Sequence, residues 1–233
     1  MLEQLKIDLA QAGDPERARN LSRFFKTGPG EYGEGDKFRG IRVPVLRILS
    51  KKYRTLNFDQ TVELLHSEWH EDRMTALFIL TIQYQKGNES VRKNIVDTYL
   101  RNTEWINNWD LVDCSAHKIL GHWLLNKNID LLEKLADSKS LWERRIAVIS
   151  TATFIWKQRY EVPLKICEKL IYDDQDLIHK AVGWMLREIG NKNKEAEIKF
   201  LKKYYSTMPR TALRYAIEKF PENERQKYLR GTI

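Results

Sequence analysis

Two residues suited to chemistry stand one helical turn apart in the segment NNWDLVDCSAHKILG, namely Trp109 and Asp113. A spacing of four places both side chains on one face of a helix. A carboxylate beside an aromatic ring is a candidate for acid–base or electrostatic catalysis. The same spacing fits a helix cap or a salt bridge at Asp113 and a core position for Trp109. The segment alone leaves these alternatives open.

A second tryptophan stands in a similar context further along the chain. In KAVGWMLREIG, Trp184 lies one turn of helix beyond Ala181. Tryptophan at such a position is more often part of the core than of a ligand site. Composition and spacing therefore do not decide whether Trp184 contacts a ligand.

Three other motifs are weaker. GPGEYG matches the glycine spacing of a dinucleotide-binding loop, but the preceding PERARNLSRFFK has a helical pattern where that motif needs a strand. We interpret residues 26–44 as an ordered glycine-rich loop whose amides and Lys26, Lys37, Arg39 and Arg42 could meet phosphates. Residues 66–70 read H-S-E-W-H, whereas the zinc-binding motif of metalloproteases reads H-E-x-x-H. Cys114 and His117 form one C-x-x-H motif, and a zinc site would need a second pair of ligands. The sequence predicts no metal and no cofactor.

The elements that position these residues are predicted to be helices throughout. Apolar residues recur at intervals of three and four, and alternating β-type runs are absent. Capping and turn residues separate the helices at six sites: Gly13-Asp14-Pro15, Asn57-Phe58-Asp59, Gly87-Asn88, Asn126-Lys127-Asn128, Asp173-Asp174 and Gly190-Asn191. The chain is therefore predicted to be all-α.

An alanine recurs at the sixth position of five helical segments: EDRMTALFIL, LVDCSAHKIL, WERRIAVIST, DLIHKAVGWM and TMPRTALRYA. These residues are Ala76, Ala116, Ala147, Ala181 and Ala212. Their spacing fits a pair of helices with its turns, in which the alanine allows close packing. The pattern predicts one domain over residues 1–233, an α-α superhelix of antiparallel helix pairs resembling a HEAT solenoid. An irregular helical bundle is the alternative.

The charge balance favours an anionic partner. Forty Lys and Arg residues against 32 Asp and Glu residues give a net charge of +8. Most positions just before the five alanines are basic, so a concave basic groove for nucleic acid is predicted. The residues expected to contact DNA are Arg73, Arg144, Lys180, Arg187 and Arg210. Asp113 occupies the same register, and a carboxylate there repels phosphate, so it requires another purpose.

Several segments together resemble the AlkD-type family of DNA alkylation repair glycosylases. They are the W-D-x-V-D of residues 109–113, the W-x-R-R-x-A of residues 142–147, the K-A-x-G-W-x-L-R-E of residues 180–188, and GIRVP at residues 40–44. The resemblance extends from about residue 15 to residue 220. It implies a HEAT-like solenoid that holds duplex DNA in a basic concavity.

The resemblance also implies the site. It places the catalytic aspartate on Asp113, the two tryptophans that flank the lesion on Trp109 and Trp184, and the groove arginine on Arg145, with the adjacent Arg144 as the competing assignment. An N3- or N7-alkylated purine is cationic and already a good leaving group, so one carboxylate suffices where sugar hydrolases need two. Asp113 would then stabilise the charge that develops on deoxyribose and position or activate water.

The function predicted in this way is a metal-free DNA glycosylase of base excision repair. Its substrate would be duplex DNA containing alkylated bases, cleaved without flipping of the base. The competing hypothesis is a non-catalytic HEAT-like paralogue that binds DNA or serves as a protein scaffold. A charged N-terminus without an apolar run predicts neither a signal peptide nor a membrane anchor. Two cysteines in a long chain indicate a reduced, cytoplasmic setting. We also expect a monomer with no membrane partner.

Overall fold

The protein is helical throughout in its computed structural model, which describes residues 1–233. Its one β-type feature is an isolated parallel bridge between Lys37 and Trp69. The all-α prediction is confirmed. The chain forms two compact units, residues 1–115 and residues 116–233. None of the helices has both the length and the apolar character that a membrane crossing requires.

Seven helices begin in the first unit, and the last of them ends on the first residue of the second unit. They are α1 (Leu2–Gln11), α2 (Pro15–Phe24), α3 (Val43–Lys52), α4 (Phe58–Leu65), α5 (His70–Lys86), α6 (Glu89–Arg101) and α7 (Trp109–Ala116). Helix α5 is the centre of this unit. It is buried from His70 to Thr81, and α3, α4 and α6 pack against it.

The second unit begins with a π-helical turn, His117–Gly121. Nine helices follow: α8 (His122–Leu124), α9 (Asp130–Ala136), α10 (Leu141–Ser150), α11 (Ala152–Trp156), α12 (Glu161–Leu170), α13 (Asp176–Lys192), α14 (Lys194–Tyr204), α15 (Arg210–Ala216) and α16 (Glu222–Arg230). Helix α13 packs against both α10 and α15, so equivalent helices lie side by side as in a repeat.

All five alanines of the repeat pattern have no exposed surface. Gly183, two residues after Ala181, shows how close the packing is. A Cβ atom at Gly183 would lie 2.4 Å from the carbonyl oxygen of Ala212 on α15. The burial of the alanines and the close approach of α13 to α15 at Gly183 agree with the prediction that small residues allow these helices to pack closely.

Three helices begin at predicted capping residues. The carboxylate of Asp14 accepts the amides of Glu16 and Arg17 at 3.0 Å, and Asn57 and Asn88 cap α4 and α6 in the same way. The predicted break at Gly190-Asn191 is wrong, because α13 continues to Lys192 and Asn193 caps α14. Gly190 instead makes room for the side chain of Glu197.

The glycine-rich segment lies between α2 and α3, and the residue that opens α3 is Val43. Because helix α2 precedes it, the structure agrees with rejection of a dinucleotide-binding loop. The carboxylate of Glu71, at the start of α5, accepts the amides of Arg39, Gly40 and Ile41 at 2.8, 2.8 and 3.1 Å. These three amides therefore already donate to a protein carboxylate, and they are not available to bind a phosphate.

Candidate active site

Helix α7 presents Trp109 and Asp113 on its half-buried side. Its core side consists of Leu111, Val112 and Ser115, which have no exposed surface. Trp109 and Asp113 lie one turn apart on the opposite side and are half-buried. The predicted pairing of an aromatic ring and a carboxylate on one partly accessible helical face is thus present in the first unit.

Asn108 holds the first turn of α7 through its side chain and its backbone. The side-chain oxygen of Asn108 accepts the amide of Trp109 at 2.8 Å, and the carbonyl of Asn108 accepts the amide of Val112 at 3.2 Å. The negative charge of Asp110, in this first turn, is stabilised by the positive end of the helix dipole. The start of the helix, and with it the backbone of Trp109, has a defined position.

Aromatic rings support Trp109 from the side. Its ring stacks on Phe25 with centroids 5.2 Å apart and meets Phe24 edge-on at 6.0 Å. These residues border a cavity of about 330 Å³, which Phe38, Phe78, Asp110 and Cys114 also line. A larger cavity of about 490 Å³, between Phe58, Ile82 and Val91, contains none of the predicted site residues.

Trp184 lies on the half-buried side of α13 in the second unit. Its indole nitrogen donates to Glu188 at 3.0 Å. Lys180 lies one turn before Trp184 and Arg187 almost one turn after it, so the three side chains share a stripe along the helix. Lys180 pairs with Asp176 at 2.7 Å, and Arg187 pairs with Glu218.

Arg144 and Arg145 differ in their surroundings. The guanidinium of Arg144 makes two hydrogen bonds to Asp173, at 2.6 and 3.2 Å, and two more to the carbonyls of Ser138 and Lys139. Arg145 is only 4% exposed and donates to the carbonyl of Leu177 in the first turn of α13. Arg145 therefore connects α10 to the helix that also contains Trp184.

The other predicted DNA contacts fall into two groups. Arg73 is 3% exposed, donates to the carbonyl of Ser67 and pairs with Asp36. Like Arg144, it is a structural residue in this conformation, because its guanidinium already binds protein acceptors. Lys180 and Arg187 are half-buried and Arg210 is exposed, so these three remain accessible.

The loop cations also differ from the expectation. Arg39 forms a two-point ion pair with Asp72, at 2.7 and 3.0 Å, and its guanidinium lies over the Trp69 ring. Lys37 pairs with Glu68 at 2.6 Å. The prediction that Arg39 meets a phosphate is therefore not supported, because its guanidinium already binds Asp72, whereas the exposed Lys37 remains accessible.

Sequence reasoning missed the residues that support the first turn of α7. His70 lies between Asp36 and Asp110, and Phe25 stacks against Trp109. The available signal was the run His70-Glu71-Asp72-Arg73 directly before an apolar helix, since buried charges occur where they are paired. No group of three or more His, Cys, Asp or Glu side chains is arranged to hold a metal ion. Neither cysteine forms a disulfide bond.

Comparison with known proteins gives the family. The sequence profile of the family described as "DNA alkylation repair enzyme" matches residues 5–220. The chain belongs to this family. Membership places it among enzymes of DNA repair, and DNA is the partner that this role implies.

A solved structure agrees with the fold. The predicted DNA alkylation repair enzyme from Enterococcus faecalis superposes with a TM-score of 0.68, over 90% of this chain and 97% of that one, at 18% sequence identity. A search of the curated proteins found no match. In this member of the alkylation repair family, helices α7 and α13 each contain a segment that resembles the AlkD-type family. Each also carries a half-buried tryptophan, Trp109 on α7 and Trp184 on α13.

Proposed function

We propose that this chain is a DNA glycosylase that hydrolyses the N-glycosidic bond of cationic N3- or N7-alkylpurines in duplex DNA. The observation that supports it most is the partly exposed face of α7, where Trp109 and Asp113 lie one turn apart in a DNA repair enzyme. A protein that only bound DNA would gain nothing from a carboxylate on this face, because the carboxylate repels phosphate.

The chemistry requires little from the protein at the leaving group. Alkylation at N3 or N7 gives the purine a positive charge, and departure of the base neutralises it. Positive charge then develops on the deoxyribose, and Asp113 stabilises it electrostatically. The same carboxylate positions or activates the water that attacks the sugar. No general acid is needed, so a partner carboxylate like that of sugar hydrolases is not required.

The tryptophans would bind the nucleotide. Contact of a cationic nucleotide with the ring of Trp109 or Trp184 contributes about 0.5–2 kcal/mol. Arg145, which is 4% exposed and donates to the carbonyl of Leu177, would position α13 and would not itself hold a phosphate. We place Lys180, Arg187 and Arg210 at more distant phosphates, where they contribute to affinity and not to sequence preference. The base stays in the duplex, so bulky alkyl groups need no enclosed pocket.

The substrate class is tested by a panel of duplexes that differ only in the damaged base. Release of 7-methylguanine and 3-methyladenine should exceed the spontaneous rate by about tenfold or more, whereas uracil and unmodified guanine should be retained. Equal release of neutral and cationic bases would contradict the proposal. Salt-sensitive DNA binding without any base release would identify the chain as a binding paralogue.

A further inference from the structure

A buried histidine lies between two carboxylates at the base of α7. His70 is 1% exposed. Its Nδ1 is 2.9 Å from Oδ2 of Asp36, in the glycine-rich loop, and its Nε2 is 2.9 Å from Oδ2 of Asp110, in the first turn of α7. The loop, α5 and α7 therefore meet at one imidazole ring.

The geometry determines the protonation of this ring. A neutral imidazole has one N–H group, and its other nitrogen would direct a lone pair at a carboxylate. Two facing carboxylates are both satisfied only by the imidazolium, which donates from both nitrogens. Burial lowers the pKa of His70, but the charge and hydrogen bonds of Asp110 and Asp36 outweigh it and raise the pKa to about 9.

The charges around His70 are balanced. Arg73 pairs with Oδ1 of Asp36, so two cations, His70 and Arg73, face two anions, Asp36 and Asp110. Burial opposes ionisation of Asp36, yet the hydrogen bond from His70 and the charge of Arg73 keep the pKa of Asp36 below its usual value. Loss of the proton from His70 would leave Asp110 facing a lone pair.

The same cluster supports the backbone and ring of Trp109. Asn108, whose side-chain oxygen accepts the Trp109 amide, donates its NH₂ group to Asp36 at 3.3 Å. Phe25 stacks on Trp109 and lies 5.1 Å from the His70 ring. Phe38 stacks on both rings, with its centroid 4.6 Å from that of His70 and 5.0 Å from that of Phe25. Two routes, one polar and one aromatic, thus lead from His70 to Trp109.

We propose that the His70 imidazolium is a positioning residue, which fixes the first turn of α7 and thereby the orientation of Trp109 and Asp113 for base release. This inference rests on the proposed glycosylase function. His70 is too deeply buried to touch DNA, so it acts through Asp110 and Phe25. Base release should decline as the pH rises through the pKa of His70, because the bridge between Asp36 and Asp110 is then lost.

The test that is independent of activity is an NMR titration of the full-length protein. The His70 ring should titrate near pH 9, and the indole N–H of Trp109, assigned with Trp109→Phe, should shift with the same midpoint. In His70→Gln the Trp109 shift should be absent, whereas the exposed His66→Gln should retain it. A Trp109 resonance that stays constant through the titration of His70 would overturn the proposal, whether or not the chain releases bases.

The second test measures single-turnover release of 7-methylguanine against pH, after subtraction of the enzyme-free rate. His70→Gln should slow release by about 3- to 30-fold at neutral pH, with DNA affinity within about threefold of the parent protein. Asp110→Asn keeps the shape but removes one carboxylate charge, so it should move the alkaline decline to lower pH by about one unit. Cys114→Ser should leave the decline in place.

The outcomes separate the two proposals. A parent protein that releases no base refutes the glycosylase function, and the NMR titration then decides the role of His70 alone. A parent that releases base while His70→Gln and Asp110→Asn retain its rate and its pH profile refutes the positioning role only. Slower release in both variants, with a displaced or absent alkaline decline, supports it.

Discussion

Trp109 in residues 1–115 and Trp184 in residues 116–233 both lie on half-buried helical faces, but their supports differ. Trp109 stacks on Phe25, and its backbone is held by a cluster of buried, paired charges. Trp184 has one side-chain hydrogen bond, to Glu188, and ion pairs of partly exposed residues beside it. We therefore propose that the first unit fixes the groups that react, whereas α13 supplies a less tightly held surface for DNA.

Buried glutamates show the same difference in energetic terms. Glu71, in the first unit, is 2% exposed and accepts three backbone amides. Glu197, in the second unit, is equally buried, but its Oε1 atom has no hydrogen-bond partner. A buried carboxylate stabilises the fold only where its oxygens are satisfied.

The largest effect is expected at Glu71. Glu71→Ala would leave the amides of Arg39, Gly40 and Ile41 without their acceptor, and should lower the free energy of unfolding by about 3–5 kcal/mol. Denaturant unfolding measures this loss. Glu63→Ala removes an exposed partner of Lys6 and should cost less than about 1 kcal/mol. Equal losses for the two variants would contradict the role given to the loop anchor.

Glu197 should respond in the opposite direction. Burial raises its pKa to about 8 from an ordinary value of 4.5, so the folded protein retains a proton that the unfolded chain releases between those values. Stability contributed by this group is therefore present at low pH and lost as the pH rises to about 8. Glu197→Gln should stabilise the protein by about 1–3 kcal/mol above that pH and have no effect near pH 4. The exposed Glu195→Gln is the control, and a pH-independent difference would contradict the assignment.

The tryptophans separate function from stability. Trp109→Ala and Trp184→Ala should each slow base release by about 3- to 30-fold through loss of the cationic contact. Trp109→Ala should also lower the free energy of unfolding by about 1–3 kcal/mol, because Phe25 loses its stacking partner, whereas Trp184→Ala should cost less. Trp156→Ala, at an exposed position, should change neither the rate of base release nor the free energy of unfolding by much. Equal destabilisation by the two site variants would remove the contrast between the units.

The smallest effect concerns the salt dependence of DNA binding. Lys180→Gln and Arg187→Gln should each reduce the slope of log affinity against log salt by about one, as expected for a lost phosphate contact. Arg144→Gln should leave the slope unchanged, since its guanidinium already binds Asp173 and two carbonyls. A reduced slope for Arg144→Gln would show that this arginine reaches DNA.

The sequence was sufficient for the helical fold because its signals are local. Periodicity, the caps Asp14, Asn57 and Asn88, and the five buried alanines each depend on a few neighbouring residues. The face shared by Trp109 and Asp113 follows from helical spacing in the same way. Gly190 was misread as a break because its partner, Glu197, approaches from the next helix.

The long-range charge pairs could not be predicted from spacing. Asp36 and His70 are 34 residues apart, and His70 and Asp110 are 40 apart. The burial of Arg73 depends on Asp36 in the same way, so a cation expected to face DNA lies inside the protein. Local pattern identifies which residues are charged, but tertiary packing determines which of them remain available to a ligand.

The most direct measurement is the single-turnover rate of 7-methylguanine release at saturating enzyme, for the parent protein and for Asp113→Asn. We expect the rate to fall by about tenfold or more while DNA affinity is retained or increased, because a charge that repels phosphate is removed. Asp97→Asn on the exposed part of α6 should keep the parent rate. Full activity of Asp113→Asn would contradict the central claim that this carboxylate stabilises the reacting sugar.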